Sequence, residues 1–262
     1  MTEPHLLYRI EGNIAILTIN RPEVKNTFSP EMLNLWRQFV EEAKADQNVR
    51  VIIVTGKGDT FCSGGDIREM AEGRLRSWDM KKFLWEGVHR VIFALEDLDK
   101  PIIAAINGAA MGAGLDMAIM CDLRVCSDRA KLSESYILMG LVPGDGGAFF
   151  LQRLIGIGKA LELLFTGDVL SPQEALEIGL VNRVVLHDRL MEETMILAEK
   201  IANQPPLAIR MMKRAVYQAQ TSTLRAHLDY ISSQLGLLPE TQDHQEAARS
   251  FLEKRKPVFV GK

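Results

Sequence analysis

Apolar positions along this chain change their period block by block, and each change marks an element. Residues 14–20, IAILTIN, run almost wholly apolar, which predicts a buried strand, and Pro22 in RPEVKN ends it. SPEMLNLWRQFVEEAKAD switches to helical spacing: Met32, Trp36, Phe39, Val40 and Ala43 share one face, Ser29 stands as N-cap and Pro30 at the first helical position. VRVIIVTG predicts a strand ending at Gly56, and GKGDTFCSGGDI a glycine-rich loop into a charged helical region that reaches about Leu98. KPIIAAING repeats the strand-then-glycine pattern; GLDMAIMCD reads as a helix and LRVCSD as a short strand. SPQEALEIGLVNRVV supplies Ser171, Pro172 and Glu174 as a capped helix start and Gly179 as its stop. Past Asn203 the pattern is helical to near the end, with QPPLAIR as the hinge.

Strands and helices alternate, and VIIV and IIAAI are continuous apolar runs, so both faces of a parallel sheet are covered. The expected fold class is α/β, with a core over residues 1–200 and a helical region over 201–262. PIIAAINGAAMGAGLDMAIMC is as long as a membrane span, but Pro101, Asn107, Gly108 and Asp116 make it a strand, a turn and a buried helix in series.

Composition narrows the picture only slightly. With 262 residues, 47% hydrophobic, 25% charged and a net charge of −3, the chain has the make-up of an ordinary globular protein, with no bulk signal for nucleic acid or membrane. Cys62, Cys121 and Cys126 are sparse, odd in number and not in C-x-x-C spacing, which fits reduced thiols in a cytosol-like compartment. The N-terminal MTEPHLLYRIEGN has no basic segment followed by an apolar one, so no secretory signal is expected. His5, His89, His187, His227 and His244 are scattered and form no metal-ligand spacing, and no nucleotide-phosphate loop is complete.

Two stretches carry candidate chemistry. TFCSGGDI and INGAAMGAGLD each end a buried strand and offer consecutive backbone amides unobstructed by large side chains. Unpaired amides of this kind receive negative charge, so two such loops facing each other could hold an oxyanion. The plainer alternative is that the glycines only let a helix pack close to a strand. Asp116 is the single acid within GAAMGAGLDMAIM, either a first-turn helix stabiliser or a working carboxylate.

DTFCSGGDIREM, KPIIAAINGAAMGAGLDMAIMCDLRVCSDRAKL, MGLVPGDGGAFFLQRLIG, LLFTGDVLSPQEALEIGLVNRVV and FLEKRKPVF together resemble the crotonase superfamily, the enoyl-CoA hydratase/isomerase group, over nearly the whole chain. The resemblance implies a crotonase-like spiral of ββα turns, with a C-terminal helical region that assembles trimers, often paired into hexamers. It implies an acyl-CoA substrate; the charge and the sparse cysteines, for their part, lead to the expectation of no membrane or nucleic-acid partner and a cytoplasmic location. No separate cofactor is implied, because coenzyme A arrives as part of the substrate, and no metal. The amides of Gly65 and Ala113 match the pair that receives the thioester oxygen as it becomes an enolate. Around them Cys62, Ser63, Gly64, Asp66, Ile67 and Gly112 are the expected substrate-lining residues, and Lys25 and Lys254 the candidates for the phosphates of CoA.

Asp116 matches the position where hydratases carry a glutamate that handles water. At the second glutamate position stands Tyr136, with Glu134 two residues earlier. Its phenol could donate a proton, or its ring could simply fill the acyl pocket. Asp145 in PGDGG lies one residue beyond the aspartate some relatives use, and is either an acid/base partner of Asp116 or a turn and capping residue. The expected activity is therefore hydration of an enoyl-CoA. Enoyl- or dienoyl-CoA isomerisation is the alternative, and CoA-thioester or β-diketone hydrolysis a second one.

Overall fold

The computed structural model describes residues 3–66 and 76–262. Its strands are β1 (Leu6–Glu11), β2 (Ile14–Ile19), β3 (Val51–Gly56), β4 (Thr60–Cys62), β5 (Ile102–Ile106), β6 (Ala109–Met111), β7 (Leu123–Ser127), β8 (Lys131–Ser133) and β9 (Arg183–Val185). The main sheet runs β1-β2-β3-β5-β7-β9, antiparallel at β1-β2 and parallel elsewhere; β4-β6-β8 form a second, three-stranded parallel sheet. Three successive turns thus send one strand to each sheet: β3 then β4, β5 then β6, β7 then β8. Those turns build the spiral.

The continuous apolar runs are explained by two cores on opposite faces. Ile14, Ile16, Val51, Ile53, Ile103, Ala105 and Val125 pack against helix Leu190–Ala202. Their neighbours Ala15, Leu17, Ile52, Val54, Ala104 and Ile106 face the other way, into a larger core with Met32, Trp36 and Val40 of helix Pro30–Ala45. Alternate residues of one strand serve different cores, so the strands are apolar nearly throughout; the buried Thr55 of β3 satisfies its hydroxyl on Ala105 O at 2.9 Å. Each valine, leucine or isoleucine among these residues, fully buried, contributes about 1.5–3 kcal/mol of transfer free energy.

Local signals hold where they were strong. Ser29 accepts the Met32 N–H at 3.1 Å with Pro30 at the first position, and Ser171 and Glu174 form a reciprocal capping box ahead of helix Pro172–Glu177. β1, whose LLYRIE is half exposed, adds an edge strand that the sequence reading did not include. The charged region leading to Leu98 comprises helix Ser77–Lys82, a π-helical stretch Phe83–Val88 and helix His89–Glu96; its earlier part, 67–75, lies outside the described residues. The long apolar stretch after Lys100 resolves into β5, β6 and helix Ala113–Ile119. Among the described residues no helix is long and apolar enough to cross a membrane.

Past Gln204 come helices Pro206–Ala219, Leu224–Leu237 and Gln242–Glu253. The first buries only Ala215 and is pinned to the core by charge. Asp99 accepts from Arg210 at 2.7 Å and Arg214 at 2.8 Å, while Asp122 accepts from Lys213 and from the Tyr217 hydroxyl, each at 2.8 Å.

Candidate active site

Two backbone loops meet at the point where the first and second turns of the spiral touch. A Cβ on Gly114 would sit 1.9 Å from the Cys62 carbonyl oxygen, and one on Gly64 would sit 3.1 Å from the Ala113 nitrogen. The chain can approach this closely only because both positions lack a side chain. Gly112 takes φ 49° and ψ −121°, donates its N–H to Ser133 O at 2.7 Å, and so turns β6 into helix Ala113–Ile119. Among the described residues neither the Gly65 nor the Ala113 N–H has a protein acceptor. Two free donors on adjoining loops are what an oxyanion requires.

The rim beside Gly65 is built by the loop after β2. Lys25 and Asn26 both adopt left-handed backbone, at φ 57° and 56°. Asn26 is held there by its own side chain, which donates to Thr60 O at 2.7 Å and to Lys57 O at 3.0 Å while accepting from Arg21 N at 2.9 Å. Ser63 Oγ donates to Lys25 O at 2.6 Å, and Phe28 N to Gly64 O at 2.8 Å, closing one loop on the other. A cavity of about 310 Å³ opens here, lined among others by Lys25, Ser63, Gly65 and Asp66. Lys25 Nζ lies 3.4 Å from the Asp59 carboxylate and stays largely exposed. Ile67 lies outside the described residues. Lys254 ends the last helix in left-handed backbone, exposed and not among the residues lining this cavity. Cys62 is buried, with Sγ 3.1 Å from Asn26 O; burial, with the Asp145 charge adding to it, lifts its thiol to about 12, so it stays protonated.

One helical turn in from Ala113, Asp116 is wholly buried, and three further acids converge on it. The Tyr136 hydroxyl lies 2.6 Å from Asp116 Oδ2 and 3.0 Å from Asp145 Oδ2. Glu134, 1% exposed, is in side-chain hydrogen-bond contact with Asp116, and Asp145 is 4% exposed. Burial, then the charge of Asp145, pushes Asp116 up to about 7 against the hydrogen bonds from Tyr136, Glu134 and the Gly147 backbone. Burial and the Asp116 charge push Glu134 up to about 10. Burial also raises Asp145, opposed by Tyr136 and by His89, and raises the Tyr136 phenol, which the two aspartates push further. Among the described residues no arginine or lysine shifts these four acids.

All four acids singled out in the sequence are therefore in one cluster, in a form the sequence did not specify. Tyr136 is not merely packing, because its hydroxyl bridges two carboxyls while its ring lies over Gly112. Asp145 does not cap helix Gly147–Ile155, whose N-cap Gly146 makes no side-chain bond; its carboxyl turns inward. Two supporting residues escaped sequence reading. A Cβ on Gly147 would lie 2.3 Å from Asp116 Oδ1, so this glycine makes room for the carboxylate. His89 Nε2 donates to Gly144 O at 2.9 Å, fastening the covering helix to the PGDGG turn. Neither has a local signal; the legible sign was that Leu132 to Gln152 carries Glu134, Tyr136 and Asp145 without one Lys, Arg or His.

Residues 9–262 match the enoyl-CoA hydratase/isomerase family, and the chain belongs to it. It is 37% identical to the short-chain-enoyl-CoA hydratase of Clostridium acetobutylicum over 94% of each chain. It is 36% identical to the crotonyl-CoA hydratase of Syntrophomonas wolfei over the full length of both. The solved enoyl-CoA hydratase from Bacillus anthracis superposes with a TM-score of 0.94 at 32% identity, over 98% of this chain and 100% of that one. The fold is accordingly that of the crotonase superfamily.

Proposed function

We propose that this enzyme adds water across the 2,3 double bond of an enoyl-CoA thioester. The observation that carries the reading is the pairing of two acceptor-free amides, Gly65 and Ala113, with a buried carboxylate one helical turn away at Asp116. As water adds to Cβ, negative charge moves to the thioester oxygen, where the two N–H groups receive it. Loss of one such donor costs about 10²–10³ in rate in enzymes where it has been measured. One acid of the cluster takes the proton of the attacking water and another delivers a proton to Cα. Thioester activation of this kind needs no cofactor beyond the CoA carried by the substrate.

Lys25, beside the 310 Å³ cavity, and Lys254 are the proposed partners of the CoA phosphates. A homotrimer or a dimer of trimers would cover the apolar side chains of the C-terminal helices, where Leu224, Phe251 and Leu252 are 74, 83 and 81% exposed. The proposed location is the cytoplasm. Isomerisation uses the same enolate and the same acids, without water, and is the second reading because Tyr136 replaces the family's second glutamate.

A panel of saturated, enoyl, dienoyl and branched CoA esters, followed at the enoyl thioester absorbance and by mass, tests this. Gain of one water by a 2-enoyl-CoA, lost in Asp116→Asn, is the expected result. Product of unchanged mass would replace hydration by isomerisation, and release of free CoA would replace both by hydrolysis.

A further inference from the structure

A hydroxyl owns one hydrogen, yet the Tyr136 oxygen is within hydrogen-bond distance of two carboxyl groups, at 2.6 and 3.0 Å. A third contact joins two carboxyls, Glu134 and Asp116, and neither can donate unless it is protonated. Among the described residues no other protein donor reaches the Glu134 oxygens or Oδ1 of Asp145, and apart from Glu134 and Tyr136 the Asp116 carboxyl has only the Gly147 backbone beside it. Four acids thus stand in a row, Glu134, Asp116, Tyr136 and Asp145, joined by three links that each need one hydrogen.

We infer that this row works as one unit holding three protons and a single negative charge, and that Tyr136 passes a proton between the two aspartates to reset the site after each turnover. Two charges would leave two bare acceptors facing each other across one link, with no lysine or arginine among the described residues acting on the row. With one charge, and with Glu134 and the Tyr136 phenol both keeping their hydrogens, there are two arrangements. The charge sits on Asp116 while Asp145 donates to the phenol oxygen, or it sits on Asp145 while Asp116 donates to that oxygen and the phenol to Asp145. Glu134 donates to Asp116 in both. The raised proton affinities of Glu134, Asp116 and Asp145 agree with carboxyls that keep protons near neutrality. Among the described residues the other titratable groups facing the row are His89, which acts on Asp145, and Cys62, whose thiol stays protonated.

The inference rests on the hydratase reading, and its chemistry balances. Water forms the C–O bond at Cβ and loses a proton to the ionised aspartate; the neutral aspartate gives its proton to Cα. The charge has then crossed from one aspartate to the other. The newly protonated aspartate hands its hydrogen to the Tyr136 oxygen as the phenol hydrogen moves to its partner, and the starting arrangement returns.

Tyr136→Phe keeps the ring and cuts the link. With enzyme in excess, its first turnover should stay within about fivefold of wild type, while steady-state turnover falls by about 10²-fold or more and is partly restored by imidazole buffer. First-turnover and steady-state rates that fall together, or do not fall at all, would overturn the relay. Infrared spectroscopy of the unaltered protein at pH 8 gives a check that does not depend on the variant folding, since exposed carboxyls are then ionised. Two protonated carboxyls per chain are expected, Glu134 and one aspartate; fewer than two removes the single-charge row. Failure of the hydratase reading would appear separately, as wild-type protein that hydrates no enoyl-CoA while the infrared count stands.

Discussion

Two pairs of aspartates, Asp99 with the half-buried Asp122 and Asp116 with Asp145, are solvated in opposite ways. Asp99 and Asp122 lie under helix Pro206–Ala219, each touching cations: Arg210 and Arg214 on one, Lys213 on the other. Burial works against the Asp99 charge, yet the Arg210 hydrogen bond, with Arg210, Arg214 and Lys44 as neighbouring charges, holds it below the usual carboxylate range. Among the described residues Asp116 and Asp145 meet no lysine or arginine, only His89 acting on Asp145, and burial pushes them the other way. The first arrangement docks a helix. The second keeps proton affinity near the pH at which the chemistry runs, at the expense of stability.

Neutralising one member of each group should separate these roles. Asp116→Asn is expected to lower kcat by about 10³-fold while leaving acyl-CoA binding measurable by calorimetry. The same variant should be more stable than wild type in alkali. Asp116 has a folded-state pKa raised to about 7, so the stability linked to it is complete below its unfolded value near 4 and is lost as pH rises through 7. Urea unfolding at pH 5 and pH 8.5 should show the variant gaining about 1–3 kcal/mol relative to wild type at the higher pH. A gain of equal size at both values would show that Asp116 is not desolvated as described.

The next largest effect comes from the residue that makes room for the carboxylate. Gly147→Ala places a methyl against Asp116 Oδ1 and should cut kcat by about 10–100-fold with little change in the far-ultraviolet circular dichroism. Full activity would mean that the carboxylate position is not critical. Smallest in its effect on catalysis is Asp99→Asn. It should cost about 1–3 kcal/mol of stability at pH 7 and leave kcat per folded molecule unchanged. Because Asp99 has a lowered folded-state pKa, that difference exists above pH 4 and should shrink as the pH falls toward 3. An activity loss larger than the loss of folded protein would tie this pin to the reaction centre.

What could be read in the sequence follows from how local each cause is. Ser29, Pro30, Ser171 and Glu174 act within one helical turn, so helix starts were legible at the residue. VIIV and IIAAI announced covering on both faces because every successive side chain meets a core. β4, β6 and β8 were missed: three residues are too few to show a period, and β4 and β6 depend on Gly56 and Gly108, which let the chain fold back within a methyl's width of Thr60 and Asp59. At the site, Asp116, Glu134, Tyr136 and Asp145 could each be named, since acids are rare in such apolar or cation-free stretches. That one phenol spans two carboxyls depends on where helix Ala113–Ile119 meets the turn before Gly147, which no spacing along the chain encodes.

The interlock of Gly114 with the Cys62 carbonyl fixes the reaction centre to backbone shared by two coils of the spiral, while the helical run Ser77–Lys82, Phe83–Val88 and His89–Glu96 forms a separate cover bearing the exposed Trp78 and Trp85. A protein divided in this way can be given new tastes without relearning its trade. Grafting another cover, with His89 retained as the rivet, should alter which acyl chains are accepted and leave the proton-handling apparatus intact.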